Sequence, residues 1–181
     1  MLSILLAAAL TAAWDDETFL GRGPAVGGGA AWAITENLSV EGEAAWSTNH
    51  RDSGYLKVDG DAFTAAGRLS YAFRRREAAV RPFVSAGLAW RKSTELFTSE
   101  HLTAGPVPGP PVSAGIERHT YRTSLAGYEF GTGVEIKAGD KFRIRPEARF
   151  TFTTSDPSFE PGSLEPPIFV MRGGVTLIWR R

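Results

Sequence analysis

The sequence predicts an all-β fold, a single eight-stranded antiparallel up-and-down barrel. Three observations carry this. Apolar residues recur at every second position through most of the chain, the period of a strand and not of a helix. The 181 residues include 20 glycines and five tryptophans; glycine is poor in helix interiors, whereas glycine and aromatics suit tightly curved barrel strands. The connections between the alternating segments switch between short and long, as in a meander with two unlike rims.

The segments run in order. Residues 1 to 14, MLSILLAAALTAAW, set Leu2, Ile4, Leu6, Ala8, Leu10, Ala12 and Trp14 on one face and Ser3, Ala7, Ala9 and Thr11 on the other. This is a strand pattern. It is also an apolar run that reads as a secretory signal with Thr11-Ala12-Ala13 as a cleavage site, although no Lys or Arg precedes it. DDETFLGRG is expected to be a loop. Strands follow over residues 23 to 35, 38 to 47, 62 to 73, 80 to 92, 125 to 136, 142 to 152 and 168 to 179. That makes seven. An even strand number needs one more before residue 23, which favours the strand reading of residues 1 to 14. On that reading an export signal lies upstream of Met1. The connections at 36–37, 74–78 and 137–141 are short. Those near 48–61, 93–120 and 154–167 are long, and GPVPGPP in the second of them rules out a central strand there.

Bulk properties exclude several classes. Net charge is zero and the pI is near 6.8, so no broad basic surface invites nucleic acid. There are no cysteines, hence no disulfide framework and no thiolate metal site. Mean hydropathy is −0.14, too polar for a bundle of membrane helices.

The two faces of the strands differ in kind. FRIRPEARFTF, residues 142 to 152, alternates Phe142, Ile144, Pro146, Ala148, Phe150 and Phe152 with Arg143, Arg145, Glu147, Arg149 and Thr151. The charged faces together collect Glu41, Glu43, Arg68, Arg81, Arg91, Glu129, Glu135, Arg143, Arg145, Glu147, Arg149 and Arg172. They also collect Gly87, Gly131, Gly133 and Gly174. Glycine beside long charged residues suits a narrow lumen, where a guanidinium needs space against bare backbone. The apolar faces carry aromatics near the strand ends. Trp32, Phe73, Phe142 and Trp179 stand by the short turns, and Trp46, Trp90 and Phe152 by the long loops. Two aromatic belts around small aliphatic residues match a lipid slab with two interfaces. The alternative is a soluble lipocalin-like barrel with the apolar face inside. The tryptophans at strand ends favour the membrane, with the charges pointing inward and Glu135 or Glu43 as partners for Arg145.

Several segments resemble a known family. RPFVSAGLAW is similar to the "PYVGAGLGY" strand of the small outer-membrane β-barrel proteins, the OmpA/OmpX-like barrel-domain family. LAGYEFGTGVEI resembles their "GxGxGVEY" strand, FRIRPEARF their "LRLEYRY" strand, and NLSVEGEAAW their "NLAVELGY" strand. In the last strand Arg172, Gly174, Leu177 and Trp179 fill the places of the family's assembly signal, polar-x-Gly-x-x-hydrophobic-x-hydrophobic. The family usually ends on an aromatic residue; this chain continues with Arg180-Arg181. The resemblance covers residues 21 to 181. It implies a transmembrane barrel in the bacterial outer membrane, with short periplasmic turns and long extracellular loops. It implies contact with outer-membrane lipid, handling by the barrel-assembly machinery, and a monomer. The domain division that follows is residues 1 to 14 as first strand or signal remnant and 15 to 181 as the barrel domain. The implied role is structural, supporting envelope integrity, or surface interaction through the long loops. A small passive solute or ion channel is the alternative, and a lipid A-modifying enzyme a more distant one.

No catalytic, cofactor or metal site stands out. Gly27-Gly28-Gly29 is followed by no Lys-Ser or Lys-Thr and opens no helix, so it is no phosphate loop. His50, His101 and His119 match no zinc spacing. Ser93 or Ser99 with His101 and Glu100 is the nearest approach to a hydrolase constellation, and nothing in the spacing fixes its geometry. The expectation is therefore no enzyme and no cofactor. The lumen charges are the one real constellation. Seven arginines and five glutamates are close to balanced, and unpaired charges in a low-dielectric interior are costly, so they should pair. Eight strands leave an interior just filled by side chains, which favours a plug over a solute path.

Overall fold

The computed structural model describes residues 6–17, 21–54, 56–103, 112–153 and 169–180. Eight strands close into one barrel: β1 (Leu6–Glu17), β2 (Gly21–Ala33), β3 (Leu38–Asp52), β4 (Leu56–Ala72), β5 (Val80–Thr103), β6 (Val112–Lys137), β7 (Phe142–Thr153) and β8 (Phe169–Arg180). Each pairs antiparallel with its sequence neighbours, and β8 pairs with β1 to close the ring, Leu10 opposite Leu177 and Asp15 opposite Arg172. Closure leaves no edge strand at the level of the seam, so every backbone donor there finds a partner.

Side-chain alternation decides the faces. Along β7 Arg143, Arg145 and Arg149 are buried while Phe142, Ile144 and Phe152 are exposed. The contrast runs through the barrel: Arg149 is 2% exposed and Leu88 64%. A soluble barrel requires the opposite. The interior is polar and the outer wall is apolar, which is the arrangement for a chain solvated by lipid.

At one rim the turns are tight. Ile34 N–H donates to Leu38 O at 2.8 Å and Ala138 N–H to Phe142 O at 3.0 Å. Asn37 Nδ2 donates to Ala72 O at 2.7 Å and ties the first turn to the next. Gly139 has φ +135, a backbone angle that side chains other than hydrogen strain to adopt.

At the other rim the strands run further than the sequence pattern indicates. Most of the expected loops at 48–61 and 93–120 is strand: β3 continues to Asp52, β4 starts at Leu56, and β5 and β6 are 24 and 26 residues long. DDETFLGRG is likewise mostly strand, with β1 reaching Glu17 and β2 starting at Gly21. The reason is solvent. Beyond the lipid band the outward face meets water and turns polar like the inward one, so the backbone continues while the polar/apolar alternation stops. GPVPGPP and the connection at 154–167 lie outside the described residues, as do residues 1 to 5. Thr11, Ala12 and Ala13 lie within β1, paired on both sides with β2 and β8.

Candidate functional site: a ladder of charge in the lumen

The twelve charged residues expected inside all lie on the inward face, and they form a ladder of three tiers. The middle tier is centred on Arg68 of β4. Its Nε donates to Glu41, Nη1 to Glu129 and Nη2 to Glu43, each at 2.9 Å. Glu41 stands directly opposite Arg68 in the β3–β4 ladder; Glu129 of β6 is reached along the same wall, over Gly87 of β5. Arg145 grips Glu41 with both terminal nitrogens, at 2.8 and 3.0 Å, and its Nε lies 3.3 Å from Glu147. Its partners are therefore Glu41 and Glu147, not Glu135 or Glu43. The guanidinium also lies over the Phe83 ring, 4.9 Å from the centroid. Arg149 donates to Glu43 at 2.6 Å and to Glu147. Thr176 Oγ1 donates to Glu147 at 2.6 Å.

The tier next to the short turns holds two arginines and one carboxylate. Arg81 donates to Glu135 at 3.0 Å and to the carbonyls of Arg74 and Glu36, both at 3.0 Å. Arg143 donates to the carbonyls of Ala78 and Arg76 and lies 4.0 Å from Glu135. The turn carbonyls take up the donors that one glutamate cannot.

The tier at the opposite rim uses residues the sequence reading placed in a loop. Arg172 donates to both oxygens of Asp15, at 2.6 and 3.0 Å. Arg91 pairs with Glu17, and its Nη1 donates to Thr64 Oγ1 at 3.1 Å and lies 3.7 Å from Asp15. Asp15 and Glu17 keep the inward parity of Thr11, which was the available signal for them; three consecutive acids hid it. Arg149 and Arg172 stand directly opposite each other on β7 and β8. Like charges so placed repel, and Glu43 between them answers both, 2.6 Å from one and 3.6 Å from the other.

The inward glycines make this packing possible. Gly87 faces Arg68 on one side and Glu129 on the other; Gly131 faces Arg149; Gly133 and Gly174 both face Glu147. A Cβ at Gly87 would stand 2.6 Å from Arg68 Cβ, and one at Gly131 would stand 2.5 Å from Ser85 Oγ. The charged side chains fold down over these bare positions.

On the outer wall the seven expected belt residues, Trp32, Trp46, Phe73, Trp90, Phe142, Phe152 and Trp179, are all exposed. Phe142 opposes Trp179 at the short-turn end. Trp46 opposes Phe63 and Tyr128 opposes Phe152 at the other. At roughly 3.3 Å per residue and a tilt near 40°, the run from Phe142 to Phe152 spans about 25 Å of membrane. Trp14 and Tyr71 join the belts, and Trp90 Nε1 donates to Ser124 Oγ at 3.0 Å. Of the assembly-signal residues, Arg172 and Gly174 face the lumen side and Leu177 and Trp179 face outward.

The hydrolase constellation is not brought together by what is described. Ser93 is buried, donating to Glu95 at 2.9 Å and meeting Thr123 Oγ1 at 2.5 Å. The side chains of Glu100 and His101 lie outside the described residues. His50 pairs with Asp59 at 2.6 Å and His119 lies 3.6 Å from Glu117, both exposed. Among the described residues no three metal-binding side chains converge.

Comparison with known proteins agrees with this geometry. A family model described as outer membrane protein beta-barrel domain matches residues 3–163. Neisserial surface protein A is similar in structure at a TM-score of 0.63, with 12% identity over 97% of this chain and 96% of that one. A major outer membrane protein from Thermus thermophilus is similar at 0.61, with 13% identity over 96% and 99%. Ail, the attachment invasion locus protein of Yersinia pestis, is similar at 0.54, with 10% identity over 98% and 97%. At these identities the structures speak for the fold alone. No curated protein matches the sequence. With a polar paired lumen, an apolar belted wall and a family match over most of its length, the chain belongs to the outer membrane protein β-barrel domain family and is a barrel of the bacterial outer membrane.

Proposed function

We propose that this protein is a closed, non-catalytic barrel whose role is structural anchorage and display of its long hairpins at the cell surface. The observation that carries the reading is a pair of ties from β7 to β3, the strand facing it across the ring: Arg145 to Glu41 at 2.8 Å and Arg149 to Glu43 at 2.6 Å. Side chains tied from wall to wall in an eight-stranded lumen leave no straight path beside them. Above the Trp90–Tyr128 level, β5 and β6 continue as a hairpin to Thr103 and Val112. That hairpin is the element best placed to meet a surface ligand. The long-loop rim is then extracellular and the short turns periplasmic. The same reading takes residues 1 to 14 as barrel sequence, the last strand with Arg172, Gly174, Leu177 and Trp179 as the segment read by the assembly machinery, and the chain as a monomer.

A channel has one observation in its favour. A cavity of about 50 Å³ opens at the short-turn end, lined by Ala7, Ala31, Glu41, Arg81 and Arg145. It has room for a few waters, and the Arg145–Glu41 pair lines its inner end. Planar bilayers separate the two readings: the closed barrel gives no regular conductance steps, and steps of uniform size from the pure protein would establish the channel.

A further inference from the structure

A second feature lies on the outer wall. Above the belt on the long-loop side, β1 to β5 surround a groove of about 610 Å³. Trp14, Thr48, His50, Asp59, Asp61 and Thr94 line it. All six point outward, away from the charge ladder. Thr48 opposes Asp61 and Asp61 opposes Thr94, so the groove floor is a polar row across three strands. The next outward pair toward the membrane is Trp46 opposite Phe63, part of the belt. Two residues along a tilted strand are about 5 Å of height. The groove therefore opens sideways into the headgroup layer, where lipid packs against the wall.

Its chemistry is specific. Trp14 is 55% exposed and offers an indole face with one N–H donor. Asp61 has no ion-pair partner among the described residues, and Asp59 is fixed by His50 at 2.6 Å. Two carboxylates and two threonine hydroxyls serve hydroxyl-rich ligands, while an aromatic face serves the C–H face of a sugar ring. Carboxylates repel a phosphate at the floor. Two exposed cations are at hand for an anionic substituent: Arg22, which lines the groove with its Nε held by Asp16 at 2.9 Å, and Lys92, opposite Phe63 on the membrane side. We propose that this groove binds the saccharide headgroup of an outer-leaflet glycolipid. The proposal stands whether or not the lumen conducts.

The test uses the full chain folded in detergent micelles, titrated with an acylated glucosamine-disaccharide lipid and, separately, with phosphatidylglycerol. Native mass spectrometry counts bound lipid. The disaccharide lipid is expected to bind one per barrel. Trp14→Leu and Asp61→Leu are each expected to weaken it about tenfold, the scale of one well-placed contact. Leu69→Ala, lower on the same wall, is expected to leave it unchanged, and phosphatidylglycerol is expected to be indifferent to all three. Thr48→Val, expected to weaken the disaccharide lipid in the same sense, replaces Trp14→Leu if that variant folds poorly by heat-modified gel migration. Equal disaccharide binding by wild type and groove variants overturns the proposal. So does an equal loss of phosphatidylglycerol, which would mean a general lipid contact with no sugar recognition.

Discussion

Replacing Arg145 by leucine separates an inward-facing charge from an outward one, because its neighbour Ile144 supplies the control. Arg145 is 3% exposed and donates twice to Glu41. Hydrogen bonds to charged groups contribute about 1.5–3 kcal/mol each, and the guanidinium over Phe83 adds about 1 kcal/mol or more when desolvated. Breaking a buried pair from one side costs about 3–5 kcal/mol. Glu41 keeps Arg68 and Glu147 keeps Arg149, so the loss should fall near the lower end, about 3 kcal/mol. Ile144→Leu changes an exposed side chain on the lipid wall and should cost under about 1 kcal/mol. Urea unfolding from lipid vesicles ranks the two. In a double-mutant cycle, Glu41→Leu with Arg145→Leu should cost about 2 kcal/mol less than the sum of the single changes. If Arg145→Leu proves as mild as Ile144→Leu, the ladder does not stabilise the barrel and the inward assignment of the charges fails.

Other outcomes follow from the same geometry. Arg68→Leu removes three charge-assisted bonds at once; Glu41 keeps Arg145 and Glu43 keeps Arg149, but Glu129 is left with the Thr151 hydroxyl at 3.4 Å, so the change should be worse than Arg145→Leu, by about 2 kcal/mol, read as the loss of folded, heat-modifiable protein on unheated gels. Gly174→Val should assemble poorly, because a Cβ there stands 2.6 Å from Ala13 Cβ at the closing seam. Trp179→Ala should assemble less well than Trp90→Ala if the last strand carries the assembly signal; equal yields in isolated outer membranes would remove that argument. Deleting residues 1 to 14 removes most of β1, which is paired on both edges, and should abolish the compact gel form.

How much of this was legible depended on where each residue sits relative to the lipid. Between the belts one face meets hydrocarbon and the other a polar lumen, so FRIRPEARFTF announces both strand and orientation. Beyond the belts that contrast ends. Asp15, Asp16 and Glu17 differ only in parity, and nothing local distinguishes the inward Asp15 and Glu17 from the outward Asp16. The extended ends of β3 to β6 were lost for the same reason. Phe83 shares its face with Arg81 and Ser85, an apolar residue inside a charged lumen, and its place under Arg145 depends on a contact between strands far apart in sequence. Partner choice is also set at long range. Arg145 finds Glu41 across 104 positions, which follows from the stagger of the closed barrel and not from any spacing along one strand.

The most direct test of the orientation uses the five tryptophans already present. All five, Trp14, Trp32, Trp46, Trp90 and Trp179, are exposed on the outer wall, and they stand near the belts and away from the midplane. The protein is folded into vesicles whose acyl chains carry bromine at chosen depths, and tryptophan emission is recorded. Brominated lipid should quench most of the emission, and bromine near the headgroups should quench more than bromine near the chain ends. Emission indifferent to brominated lipid would place the tryptophans away from the acyl chains and contradict a barrel with its charges inside.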